Sequence, residues 1–214
     1  MVAVSHRFEL VYFPIPKNAT SSLKHVFYTI ETGHPFDAKT RDRLGGTVHQ
    51  FYRSRPSDWL DYYAGYTSFV IVRDPIKRLL SAYGNRVLGA GESRSEKLSS
   101  AGLKPEPTIE EFIINFNEYR ENSKVIRNHT IPQSRYVGDF WDKIALKIPI
   151  EQLGSVPEML QKLTGARVEL PQMKKTPNPA KVSDLSPKLF NKLVDFYQKD
   201  YEMLGPMYSP DMLK

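Results

Sequence analysis

An α/β fold, a mainly parallel central sheet flanked by helices, is what the sequence predicts, and three observations predict it. Short apolar runs rich in β-branched and aromatic residues, "FELVYF", "YTSFVIVR" and "DKIALKIPI", read as strands. The stretches between them carry helix-start signals and amphipathic spacing. Strand and helix alternate along the chain, as in parallel β–α–β units. With 214 residues and no break in composition, one domain spanning 1–214 is expected.

The elements follow in order. "FELVYF" feeds the segment "PIPKNATSSL", residues 14–23, and the first helix should begin near Thr20 or Ser21. Leu23, Val26, Phe27 and Ile30 recur at i, i+3, i+4 and i+7, one buried stripe, and Gly33 stops the helix. After "YTSFVIVR", Asp74 and Pro75 supply an N-cap and a first-turn proline. Ile76, Leu80, Tyr83 and Val87 form the apolar face of that helix, and the helical wheel puts Arg78, Ser81 and Asn85 on the opposite face, away from the core. Residues 84–107, rich in Gly, Ser and charge, read as a long surface loop, either mobile or a lid. Thr108 with Glu111 and Ser155 with Glu158 fit the capping box, placing helices over 109–118 and 156–164. Ser186-Pro187 opens a last amphipathic helix through Leu189, Phe190, Leu193, Val194 and Tyr197, reaching Leu204 before Gly205.

Composition narrows the function classes. With 40% hydrophobic and 25% charged residues the chain suits neither a disordered nor a membrane-embedded class. No apolar stretch approaches the ~18 residues of a spanning helix, and "MVAVSHRFEL" lacks the order of a signal peptide, so a soluble, cytoplasmic protein is expected. The absence of cysteine excludes disulfides, thiolate metal sites and a cysteine nucleophile. A net charge of +6 suggests an anionic partner, yet the basic residues are scattered and no nucleic-acid-binding motif is present, so no nucleic acid is expected.

The loop between the first strand and first helix has the chemistry of an anion site. First-turn N–H groups lack intrahelical partners and the helix dipole adds positive potential, while small Ala19 admits a phosphate to the backbone around Asn18. The hydroxyls of Thr20, Ser21 and Ser22 can donate, and Lys17 adds a full charge. The plainer alternative is a solvated lysine and one hydroxyl capping the helix. A Walker loop is excluded, because it needs glycines before its lysine and none is present here, so ATP is disfavoured. In the second segment, "VIVRDPIKRLLSAYGNR", Arg73 closes a strand and Ser81 lies eight residues later; singly, each reads as ordinary surface polarity.

Together the two segments resemble the sulfotransferases that use 3′-phosphoadenosine 5′-phosphosulfate, particularly the carbohydrate, heparan 2-O-type branch. In that family a strand-Pro-Lys-x-x-x-Thr/Ser-Ser-helix loop holds the 5′-phosphosulfate, a P-loop-like arrangement matched here by Pro16, Lys17, Thr20, Ser21 and Ser22. An Arg-Asp-Pro-x-x-Arg-x-x-Ser-x-Tyr segment holds the 3′-phosphate, matched by Arg73, Asp74, Pro75, Arg78, Ser81 and Tyr83. Weaker likeness runs through "NHTIPQSRYVG", "IPIEQL", "LPQMKKTPNP" and "FYQKDYEMLG". The animal carbohydrate enzymes carry a membrane anchor and usually disulfides; this chain has neither, which implies a soluble, bacterial-type member. The resemblance implies sulfuryl transfer from that donor to a hydroxyl on a small molecule or glycan, with 3′-phosphoadenosine 5′-phosphate as product and no metal.

Lys17 suits the leaving phosphate oxygen. The acceptor proton needs a base, and His6, His25, His34, His49 and His129 are available. Packing or solvation accounts for His6 and His25, and His34 sits in a turn. His49 stands before Arg73 by about the interval at which the resembled branch places its catalytic histidine, whereas His129, with Gln133 nearby, is a candidate for the acceptor side or a loop histidine bonded to backbone. No histidine pair has metal-ligand spacing. The competing classes are a nucleotide-dependent kinase and a basic anion- or nucleic-acid-binding module. Acceptor choice lies in the loops 34–60, 84–107 and 128–140, which do not reveal it, nor does the sequence reveal an oligomeric state.

Overall fold

The computed structural model describes residues 2–52, 62–88, 91–171 and 180–213. Along the chain run β1 (Ala3–Ser5), β2 (Leu10–Phe13), α1 (Thr20–Thr32), α2 (Ala38–Leu44), α3 (Val48–Phe51), β3 (Thr67–Val72), α4 (Pro75–Ala82), α5 (Glu92–Ser100), α6 (Ile109–Ile114), α7 (Phe116–Asn122), α8 (Lys124–Thr130), α9 (Ser134–Val137), β4 (Leu146–Pro149), α10 (Val156–Thr164), α11 (Pro187–Phe196) and α12 (Gln198–Leu204). The chain forms two compact units, each assembled from two stretches: Met1–Val72 with Phe140–Lys174, and Arg73–Asp139 with Lys175–Lys214.

The first unit holds the sheet, in the order β1-β2-β3-β4. β2 pairs parallel with β3, opposing Phe13 to Val70, and β3 pairs parallel with β4, so the mainly parallel sheet is present. β1, which no sequence pattern marked, adds antiparallel to β2 through Ala3, Val4 and Ser5. The expected stripe of α1 is buried on the sheet: Leu23, Val26, Phe27 and Ile30 join Tyr12, Phe69, Val156 and Leu160 in one core. Tyr12 stacks on Phe69 at 5.1 Å, with Phe27 5.6 Å from Phe69. α1 ends where Gly33 adopts φ 75°, its N–H returning to the Thr29 carbonyl.

The second unit is helical. Phe112, Phe116 and Tyr119 pack with one another, and Phe116 meets Phe196 edge-on at 4.9 Å. Arg120 lies over Phe196 at 4.7 Å, a cation–π contact that shields the rings.

Several expectations are corrected. Arg78 does not face away from the core: it is fully buried, and its guanidinium donates to the carbonyls of His129 and Ile131 at the end of α8. α4 is packed on more than one side, which a single-face wheel does not anticipate, and the charge is matched to the negative end of α8. Residues 84–107 are not one long loop: a π-helical turn spans Tyr83–Val87, and α5 forms with Leu98 buried. One buried residue leaves little periodic signal. The helix expected over 109–118 breaks at Asn115, whose φ of −99° and ψ of 34° separate α6 from α7. The Thr108–Glu111 box forms, but Ser155 caps nothing; it follows a 3-10 turn and its hydroxyl donates to the Gln152 carbonyl. The last helix divides at Tyr197 into α11 and α12. The "LPQMKKTPNP" loop falls mostly outside the described residues, as do parts of 34–60 and 84–107. Among the described residues, no helix is long and apolar enough to cross a membrane.

Candidate active site

The loop after β2 is built from the strand outward. Two prolines flank Ile15, and the chain then turns through Lys17 at φ 73° and Ala19 at φ 55°, both left-handed. A non-glycine residue there costs roughly 1–2 kcal/mol, a strain that persists only where surrounding bonds enforce it. Asn18 does the enforcing. It is buried, its backbone N–H donates to the Ile15 carbonyl at 3.2 Å, and its side-chain Nδ2 donates to the Ile71 carbonyl of β3 at 2.9 Å. Tyr12, below, donates its hydroxyl to the Asn18 carbonyl at 3.2 Å. The loop is thus fastened to the strand whose next residues lead to Arg73.

α1 starts from this turn with Ala19 at its N-cap and no side chain capping it. The hydroxyl cap that the plainer reading required is absent. Thr20 Oγ1 donates to the Ile15 carbonyl at 2.6 Å and Ser22 Oγ to the Pro171 carbonyl at 3.2 Å. Ser21 differs: its Oγ lies 2.9 Å from Nε2 of His49, which stands on the exposed side of α3. Val48, the neighbouring α3 residue, is buried in the core and holds that short helix against α1.

The other histidines sit elsewhere. His6 Nδ1 is 3.2 Å from the Tyr66 hydroxyl, and His25 packs edge-on against Phe36 at 5.4 Å, its pKa lowered by burial. His34 lines an open cleft of ≈ 310 Å³ with Lys39 and Arg43. His129 is in the last turn of α8 rather than in a loop, bonded through Nδ1 to the Val125 carbonyl at 2.8 Å. Among the described residues, His49 is the histidine hydrogen-bonded to the loop. Lys24 is buried in α1, and burial pushes its pKa down to about 8.

The second segment lies in the helical unit. Asp74 caps α4, accepting from the Lys77 N–H at 2.8 Å, and receives the Tyr201 hydroxyl at 3.3 Å; burial pushes its carboxyl upward in pKa. Arg73 and Ser81 are half-exposed, Arg73 just before the cap and Ser81 in the final turn of α4. Gln133 is fully buried: its Oε1 accepts from the Arg73 N–H at 3.2 Å and its Nε2 donates to the Arg73 carbonyl at 2.7 Å. Neither this pairing nor Asp200, which accepts the N–H groups of Gln133 and Ser134 at 2.8 Å each, carries a signal in local spacing. No group of three or more His, Cys, Asp or Glu among the described residues could hold a metal.

The arrangement supplies a cationic loop at a helix N-terminus with an imidazole at its edge, suited to an anion and to proton removal. A family model described as the sulfotransferase family matches residues 1–209. No curated protein and no solved structure matches the chain.

Proposed function

The chain belongs to the sulfotransferase family, and we propose that it moves a sulfuryl group from 3′-phosphoadenosine 5′-phosphosulfate to a hydroxyl, on a carbohydrate or other sugar-containing acceptor. The reading takes residues 1–214 as one sulfotransferase domain of the heparan 2-O-type branch, soluble, cytoplasmic and bacterial-type. Pro16, Lys17, Asn18, Ala19, Thr20, Ser21 and Ser22 take the 5′-phosphosulfate; Arg73 and Ser81 take the 3′-phosphate. His129 is assigned to the acceptor side.

The observation that carries the reading is the 2.9 Å contact between Ser21 Oγ and His49 Nε2. It joins the one candidate base to the first turn of the helix that follows Lys17. In the reaction the acceptor oxygen forms a bond to sulfur while the bond from sulfur to the phosphate oxygen breaks. His49 takes the acceptor proton, and Lys17 stabilises the charge that develops on the departing oxygen. The product is 3′-phosphoadenosine 5′-phosphate, and each step is completed by side chains without a metal.

The test has two parts. The product nucleotide should raise Tm in metal-free buffer, with ~2.7 kcal/mol gained at one hundred times its Kd. Isotopically labelled donor with a panel of hydroxyl acceptors should then yield a sulfated product by mass spectrometry. Stabilisation by Mg-ATP with none by the adenosine bisphosphate would replace the reading with a kinase.

A further inference from the structure

We infer that Gln133 is a positioning residue for donor recognition: its buried carboxamide fixes the backbone of Arg73, and Asp200 fixes Gln133 in turn. This rests on the reading that Arg73 binds the 3′-phosphate.

Arg73 falls between two regular elements. β3 ends at Val72 and α4 begins at Pro75 after the Asp74 cap, so the N–H and C=O of Arg73 lie beyond the strand's ladder. Buried backbone groups at such a junction need partners. Gln133 meets both with one side chain, accepting at 3.2 Å and donating at 2.7 Å. A carboxamide has the same donor and acceptor as a peptide group, so Gln133 extends strand-like pairing by one residue and fixes the orientation of the peptide planes from which the guanidinium projects.

The clamp is itself held. Both Asp200 oxygens accept backbone N–H groups, one from Gln133 and one from Ser134, and Asp200 is fully buried. Preceding carbonyls are gripped from the other direction, Thr130 by the Tyr197 hydroxyl at 2.9 Å and His129 and Ile131 by Arg78. Residues 129–134 are thereby anchored at both amides and carbonyls, while their one side chain directed at Arg73 bonds backbone and leaves the guanidinium available. With its amide occupied in this way, Gln133 acts through Arg73 rather than by facing the acceptor.

The experiment uses the full chain as wild type, Gln133→Glu and Gln133→Met, each alone and combined with Arg73→Ala. Calorimetry gives Kd for adenosine 3′,5′-bisphosphate and for adenosine 5′-monophosphate, and their ratio reads selectivity for the 3′-phosphate. Each Gln133 variant should lower that ratio roughly tenfold or more, as expected when a binding group is misplaced by a fraction of an ångström. The monophosphate Kd should stay within about twofold, and with Arg73→Ala already present the Gln133 changes should have no further effect on the ratio. Gln133→Glu keeps the size and one acceptor, providing a folded variant if Gln133→Met is unstable. Loss of Tm with an unchanged ratio, or effects that add to Arg73→Ala, would overturn the clamp alone. A wild-type ratio near one would overturn the phosphate assignment of Arg73, and the inference with it.

Discussion

Asn18 offers the most quantitative test of how the loop is held. Asn18→Ala removes the Nδ2 donor that meets the Ile71 carbonyl at 2.9 Å, inside a region where both residues are buried. Leaving a buried acceptor without this donor costs ~1–3 kcal/mol. For a chain of 214 residues, at ~2.1 cal/mol/K of unfolding entropy per residue, that corresponds to a Tm lower by roughly 2–7 °C. Asn18→Asp keeps the shape but sets a carboxylate oxygen against a carbonyl oxygen, and should cost more. The same change frees the left-handed turn at Lys17 and Ala19, so affinity for 3′-phosphoadenosine 5′-phosphate should fall with stability. Scanning calorimetry and nucleotide titration measure the two effects. If both variants melt within ~1 °C of wild type and bind the nucleotide unchanged, Asn18 does not hold the loop and the strain argument fails.

Three further outcomes are expected. Lys17→Ala should weaken the donor and slow transfer together, whereas His49→Ala and His49→Asn should leave donor affinity intact and cut turnover ~10²-fold or more; turnover within a few-fold of wild type from pH 6 to 9 would remove His49 from the mechanism. Arg73→Ala should weaken the donor by ~1.5–3 kcal/mol, and equal wild-type affinity for adenosine 5′-phosphosulfate, which lacks the 3′-phosphate, would refute its assignment. Lys24, pushed from 10.5 to about 8 by burial, should make stability depend on pH. Below pH 8 the folded form carries the buried charge and bears the full penalty; between about 8 and 10.5 the folded lysine is neutral while the unfolded one still holds its proton, so stability rises with pH through that window and levels off above it. Lys24→Met should lose this slope; urea midpoints for both proteins at pH 7.5 and 9.5 that move in parallel would contradict it.

The sequence is legible where local periodicity and burial coincide. The stripe of α1, the Asp74 cap with its proline and the Thr108–Glu111 box are each set by residues within a few positions of one another, and each forms. Ser155 and Glu158 have the same spacing without the box, since the 3-10 turn before Ser155 directs its hydroxyl back to Gln152. α5 escaped notice because one buried leucine gives no stripe, and Arg78 was misplaced because its partners lie 51 and 53 residues away. The site shows the same division. Lys17 and its helix are a local motif, but the Ser21–His49 contact spans 28 residues and the Gln133–Arg73 pairing 60, and such closures follow from tertiary packing rather than from spacing.

The π-helical turn at Tyr83–Val87 bears on how the chain tolerates insertion and deletion. An i→i+5 turn is an α-helical turn lengthened by one residue. Its surplus is stored just downstream of Ser81 and upstream of α5, with Tyr83 and Val87 buried on either side. Removing one residue from within the turn would let α-helical winding continue, rotating everything after it by ~100° while leaving the arginine, the cap and the serine at their present positions. Variation in length is therefore best absorbed here, and a sequence one residue shorter at this point would keep the nucleotide-facing half of the helix while presenting a different face of the segment that follows.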